Sequence, residues 1–312
     1  DEENDWVWTI LQKLADIDNP HIRYAVDRTA HELSARNPQA AQAIKRKLRG
    51  SLWRASLSYG NFDSAAADQI GIVYAPVFFE PAYDNHIECR ERLQAIIDRL
   101  EKSGVDEAGR HHFNWVTPRP AEKTQLEWAH RGNIDRHRDG SPWPDYVETV
   151  RKESLRLEKE SGLRRQSGPS ELRYESYDVA LLSVGSVLTG IDYVFRNGRS
   201  RSAFAINRPP GHLANNTICL FNNIAIGAHY ARENYDVGRI LIVDCDAHHG
   251  KHTNQVFLED PDVIYFSMHI DGDYAREAGM VHHIGLGDGE GYNFNLPYPS
   301  GMPDEGYQYI ID

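Results

Sequence analysis

The chain has 312 residues, 40% hydrophobic and 26% charged, with a formal net charge of −12. That mix excludes wholesale disorder, and the length suits one large α/β domain with an extension. The acidic balance argues against nucleic acid as a partner, and no uninterrupted apolar run reaches the ~20 residues of a membrane span.

Residues 1 to about 70 are expected to form an α-helical extension. Trp6, Ile10, Leu11 and Leu14, then Ile22, Ala25 and Leu33, fall at helical spacing. Asn37-Pro38 breaks the series, and Ala40 to Leu48 resumes it. Packing on the main domain, a lid or an oligomer contact is its expected role. Residues 71–312 read as one α/β domain. Gly71 to Tyr74 is a short strand. Residues 86 to 101 are a helix with Ile87, Leu93, Ile96, Ile97 and Leu100 on one side. The polar stretch 102–172 reads as loops and short helices, including Tyr146 to Glu160. Tyr177 to Phe195 is a buried helix whose Gly185 and Gly190 permit close backbone approach.

Three strand–loop units follow. Ala203 to Ile206 leads into Arg208-Pro209-Pro210-Gly211-His212, and Phe221 to Asn234 is a helix. Arg239 to Val243 leads into Asp244-Cys245-Asp246-Ala247-His248-His249-Gly250, and Val263 to Ser267 leads into Met268-His269. Near-continuous apolar strands between helices indicate a mostly parallel sheet covered on both faces, a three-layer α/β/α architecture. Ligands gather at the carboxyl ends of such strands, where these polar clusters sit. Cys89, Cys219 and Cys245 form no Cys-x-x-Cys pair, which points to reduced thiols and a cytoplasmic setting. The first residue is Asp1 rather than Met, which suggests a processed or trimmed start, and no signal peptide is visible.

The strongest chemical signal is Asp244-x-Asp246-x-His248-His249-Gly250 after an apolar strand. In extended backbone, residues two apart project to the same side, so Asp246 and His248 are expected to grip one metal ion. Oxygen plus nitrogen ligation suits zinc or iron(II), with a position open to water. Asp244 shares that parity and suits orienting a histidine or binding a monovalent cation. His212, fixed by two prolines and a glycine and held by Asp244, would be an acid–base or electrostatic group. His282-His283, in a glycine-rich stretch, reads as a surface turn.

From Val73 to Asp312 the chain resembles the histone deacetylase and acetylpolyamine amidohydrolase superfamily. The matching landmarks are Val73-Tyr74 with His86, Trp128-Ala129-His130, Arg208-Pro209-Pro210-Gly211-His212, Cys219-Leu220-Phe221-Asn222-Asn223, Asp244 to Gly250, Tyr265 to His269, and Gly289-Glu290-Gly291-Tyr292-Asn293. The resemblance implies an arginase-deacetylase type fold and a zinc-dependent amidohydrolase that removes acetyl or other acyl groups from acylated lysine or polyamine amines. Asp246 and His248 would be two of three zinc ligands. His212 would be the first of two tandem histidines, paired with Asp244. A potassium site would use Asp244, Asp246, His248, Ser267 and Met268, partly through backbone carbonyls. Gly211, Ile218 and Tyr274 would line the substrate channel.

These departures bear on that reading. The second tandem histidine is Leu213, and the acid that would orient it is Lys251. Thr217-Ile218 stands where the family has Gly-Phe, and Ile87 replaces a proline after His86. The third zinc ligand, a glycine-rich turn and a carbonyl-polarising tyrosine would lie beyond Asp312, so a continuation of the chain or a second chain is expected to supply them. The alternative is a catalytically impaired metal-binding homologue acting as a regulatory or structural subunit, and a homo-oligomer is also open. Asp246-Ala247-His248 resembles the arginase Asp-Ala-His as well, but Gly250 cannot bridge the two manganese ions that chemistry needs.

Overall fold

A computed structural model describes residues 5–15, 26, 29–30, 39–40, 43–44, 69–79, 89–104, 112–131, 145–159, 165–167, 170–172, 176–197, 202–214, 219–272 and 279–311. In chain order the bounded helices and strands are α1 (Asp5–Leu14), β1 (Ile70–Tyr74), α2 (Arg90–Ser103), β2 (Phe113–Val116), α3 (Lys123–Leu126), α4 (Tyr146–Lys159), β3 (Arg165–Ser167), β4 (Ser170–Leu172), α5 (Ser176–Asn197), β5 (Ala203–Ile206), α6 (Asn223–Tyr235), β6 (Ile240–Asp244), α7 (Lys251–Val256), β7 (Val263–Ile270), β8 (Asn293–Tyr298) and α8 (Asp304–Ile311). They fall into two units. The first holds Asp1–Glu122, Val150–Arg165 and Leu172–Pro209, and the second holds Lys123–Thr149, Gln166–Glu171 and Pro210–Asp312.

In the first unit, Trp8 and Leu11 of α1, and Ala15 just past its end, are buried with Val26, Ala30 and Ile44. Those helix positions are three and four apart, one stripe of a 3.6-residue turn. Ile10 was expected on that stripe but is 45% exposed, because two positions from Trp8 lies on the far side of the helix. The side chain of Trp6, and Ile22, Ala25, Leu33 and 45–68, lie outside the described residues. A three-stranded parallel sheet has the order β2-β1-β5. Its core joins Ile72, Tyr74 and Ile206 to Leu93 and Ile97 of α2 and to Val179 and Leu182 of α5.

Strand β2 lies in the stretch expected to be loops and short helices. It is a strand because Phe113 and Trp115 pack against the α2–α5 core while Val116 joins Val73 and Tyr193. That is period-two burial, which the flanking His and Pro residues disguise. At Gly185 a side chain would collide with the carbonyl of Arg119, whereas at Gly190 it would meet only ordinary contacts. Close approach therefore depends on the first glycine and not on the second. By length and composition the Ser176–Arg196 stretch is apolar enough to cross a membrane, although 72% of its window is buried. That is how the central helix of a core reads.

In the second unit, β6, β7 and β8 form a parallel sheet in that order. Ile240 to Asp244 pair with Val263 to Ser267, and Tyr265 to Ile270 pair with Asn293 to Tyr298. Strand β7 runs beyond its expected end at Ser267 because His269 is buried with both ring nitrogens bonded, to Ser267 Oγ at 2.8 Å and the Gly279 carbonyl at 2.9 Å. Strand β8 was not anticipated. Helix α6 begins where Asn222 Oδ1 accepts the Ala225 amide at 3.0 Å and ends at Asp236 in a left-handed conformation. All three strands run the same way, so Asp244, Ser267 to Ile270, and Tyr298 emerge at one edge of the sheet.

Candidate functional site

The apolar run Ile240 to Val243 makes β6, and Asp244 is its last residue. Its side chain is mostly buried, yet it is fully bonded. Oδ2 accepts His212 Nδ1 and the Tyr265 hydroxyl, each at 2.9 Å, and Oδ1 accepts the Asp246 amide at 3.2 Å. Burial raises the Asp244 pKa, but the His212 hydrogen bond and charge, the Asp246 amide and Tyr265 together outweigh it, so the carboxyl titrates below its ordinary value. Tyr265 is fully buried and its pKa is pushed well up, first by burial and then by the Asp244 charge, so its hydroxyl keeps its proton and donates.

His212 is held through its backbone as well. Its carbonyl accepts the amides of His252 and Thr253, in the first turn of α7, at 3.2 and 3.4 Å. Because a carboxylate only accepts, His212 donates from Nδ1. Its Nε2 lies 3.8 Å from Asp246 Oδ1. Gly211 packs so tightly on the backbone of Phe221 to Asn223 that any side chain would overlap it.

Asp246 and His248 also come together. His248 Nδ1 lies 2.9 Å from Asp246 Oδ1, and the His248 amide donates to the same oxygen at 2.8 Å. The reason differs from the expected one. Residues 246–248 form a bend rather than extended backbone, and an aspartate accepting the amide two residues on brings the side chains together. Ser267 is the cross-strand neighbour of Asp244, and both it and Met268 are buried. Leu213 is buried too, and Lys251 is the first residue of α7. His283 and Met280 close a turn through the Met280 amide on His283 Nδ1 at 3.2 Å. Ile218, Tyr274, His86, Ile87 and Thr217 lie outside the described residues. Among the described residues, no group of three His, Cys, Asp or Glu is arranged to hold a metal ion.

Four residues make contacts that the sequence does not announce. Tyr265 and Gly250 are one signal: a side chain at residue 250 would overlap Asp244 Oδ2 and the Tyr265 hydroxyl and press on His212 Nδ1. His249 is fully buried, with neither ring nitrogen in a hydrogen bond of ordinary geometry. Burial and then His269 lower its pKa to about 4, against the opposing influence of Asp244 and Asn295. Asn222 ties α6 to α7: its Nδ2 donates to Thr253 Oγ1 and faces His252 Nδ1, both at 3.0 Å, while its amide donates to His130 Nε2 at 2.9 Å. His130 also stacks on His252 at 4.8 Å, so this histidine braces the site from within the core.

The histone deacetylase domain family matches residues 86–312. The chain is 31% identical over 240 residues to "Histone deacetylase 10, chloroplastic" of Oryza sativa subsp. japonica, covering 73% of this chain and 51% of that protein. It is 33% identical over 221 residues to "Polyamine deacetylase HDAC10" of Rattus norvegicus, covering 68% of this chain and 35% of that protein. The chain therefore spans about half the length of the rice relative and a third of the rat one. The crystal structure of the HDA15 HD domain superposes with a TM-score of 0.63 at 25% identity, covering 78% of this chain and 67% of that one. This likeness establishes the three-layer α/β/α fold of the arginase-deacetylase type.

Proposed function

Because the chain belongs to the histone deacetylase family, we propose that it carries the centre of a zinc-dependent amidohydrolase that releases acetyl or other acyl groups from acylated lysine or polyamine amines. The observation that carries this reading is the His212–Asp244 pair standing beside the Asp246–His248 pair at the carboxyl edge of a parallel sheet.

The donor types of Asp246 and His248 suit a zinc-class ion and supply two of the three protein ligands that such a catalytic site takes. One carboxylate oxygen and one imidazole nitrogen converge on side chains that remain 45% and 32% exposed, and oxygen with nitrogen is the ligand type such an ion takes. Asp246 and His248 would hold it. The ion, when bound, supplies Lewis-acid polarisation of the scissile amide carbonyl. Asp244 keeps the His212 proton on Nδ1, which leaves Nε2 as the basic nitrogen of the ring. His212 then takes a proton from the attacking water at Nε2 and passes it to the departing amine. Leu213 cannot share that work, so His212 acts alone, and the loss of a second acid–base group costs about 10² to 10⁴ in rate. Potassium would be held by Asp244, Asp246, His248, Ser267 and Met268, partly through backbone carbonyls.

The buried, non-titrating Leu213 favours a second reading, a metal-binding homologue without turnover. Metal analysis of the purified chain, with a panel of acyl-lysine peptides and acyl-polyamines, separates the two. Zinc-dependent hydrolysis lost in Asp246→Asn and His248→Ala supports the enzyme. Stoichiometric zinc with no hydrolysis of any substrate supports the binding subunit, and no zinc uptake at all refutes both.

A further inference from the structure

One oxygen of Asp244 serves two donors. Oδ2 accepts His212 Nδ1 and the Tyr265 hydroxyl at the same 2.9 Å, while Oδ1 is taken by the Asp246 amide. We propose that Tyr265 is a positioning residue of this site: its hydroxyl fixes the Asp244 carboxylate in the one orientation that holds the His212 ring with its proton on Nδ1, and residue 250 is glycine because these three groups meet where its side chain would be.

The last torsion of an aspartate is soft and roughly two-fold, so a single donor on one oxygen leaves the carboxylate plane free to rock. A second donor on that oxygen, with a backbone amide on the other, removes the freedom. Tyr265 suits the task because it cannot swing. It is wholly buried in the middle strand of the sheet, and its hydroxyl also lies 3.3 Å from the Gly250 carbonyl. Gly250 closes the arrangement, since a side chain there would overlap the carboxylate oxygen and the phenol and touch the imidazole nitrogen. Its φ of −73° and ψ of 65° are open to other residues, so what requires glycine here is space and not backbone conformation. The Tyr265 hydroxyl bonds Asp244 and the Gly250 carbonyl rather than the proposed metal-holding side chains, and so acts through Asp244 on His212.

The test is a double-mutant cycle with Tyr265→Phe and His212→Ala in the full chain, read by acyl-amine hydrolysis and by the ring-nitrogen NMR shifts of His212. The kinetic arm rests on the amidohydrolase reading, and the spectroscopic arm does not. Tyr265→Phe is expected to lower kcat about ten- to a hundred-fold with KM nearly unchanged, the signature of a misaimed group rather than lost binding. In the His212→Ala background the same change is expected to cost less than about twofold. The His212 ring is expected to move from the pure Nδ1–H pattern towards a mixture of tautomers, and Gly250→Ala, which reaches the same three groups from the other side, is expected to reproduce that shift. Equal losses in both backgrounds, a KM effect with kcat intact, or a His212 spectrum unchanged in either variant would overturn the proposal. If the wild-type chain hydrolyses no acylated amine, the functional reading fails while the spectrum alone still decides the role of Tyr265.

Discussion

Gly250→Ala adds one methyl group at the point where Asp244, Tyr265 and His212 converge, and its cost follows from what that methyl meets. The backbone there is open to alanine, so the penalty is steric. The new carbon would overlap Asp244 Oδ2 and the Tyr265 hydroxyl and press on His212 Nδ1. None of the three has room to retreat. Tyr265 is fully buried, and the side chains of Asp244 and His212 are only 12% and 16% exposed. The strain is relieved by parting Asp244 from one of its donors, and a hydrogen bond to a charged group is worth about 1.5–3 kcal/mol. Forcing a methyl into packed surroundings costs about 1–3 kcal/mol. The two are alternative routes to the same relief, so the expected destabilisation is about 1–3 kcal/mol, which for a chain of this size lowers the melting temperature by roughly 2–12 °C. Urea unfolding of metal-free protein checks it, with Gly238→Ala as the control, because nothing lies within 4 Å of a side chain there. A Gly250→Ala variant within about 0.5 kcal/mol of wild type would show that the three-group junction is loose, and the reasoning would fail.

The buried His249, whose pKa is lowered to about 4, makes stability depend on pH. The unfolded ring takes a proton below its usual pKa of about 6.5 and the folded ring resists until pH 4, so stability falls as pH drops through that window, by about 3 kcal/mol in all. The slope of unfolding free energy against pH should shrink in His249→Asn, and an unchanged slope would clear His249 of the effect. Asn222→Ala removes the cap of α6 together with the Thr253 hydrogen bond, so a loss of about 2–4 kcal/mol is expected in urea unfolding. Gly185→Ala would drive a methyl into the Arg119 carbonyl, whereas at Gly190 the nearest atom is 3.4 Å away. The first should destabilise by more than about 2 kcal/mol, and the second should be neutral or stabilising by up to about 1 kcal/mol, as thermal melts of the pair will show.

What the sequence made legible tracks where hydropathy and burial agree. Ile240 to Val243 is a run of four apolar residues, and it is a strand; Asp244 closes it and bonds His212. The side chains of Asp246 and His248 meet, but a bend brings them together rather than strand parity. A hydrogen bond from a backbone amide two residues on is local chemistry that a two-residue period cannot encode. Strand β8 hid because Asn293 and Asn295 are polar in type and buried in fact; their amides donate to the carbonyls of Phe257 and His283 at 3.4 and 2.8 Å. Tyr265 falls in an expected strand and in a matching landmark, but nothing in its neighbours announces that its hydroxyl reaches the residue ending the neighbouring strand. Polar atoms satisfied across long sequence separations are legible only in three dimensions.

Strand β7 places Tyr265, Ser267 and His269 at every second position, all buried, while Ile264 and Phe266 alternate with them. A slip of one residue against its neighbours would turn that polar row to the side where Leu241, Val243 and Phe294 are exposed, and would break the hydrogen bonds the row makes. The strand thus acts as a key that enters its lock in one setting only: a misthreaded sheet is penalised at three places together, and the correct alignment is chosen before any substrate arrives.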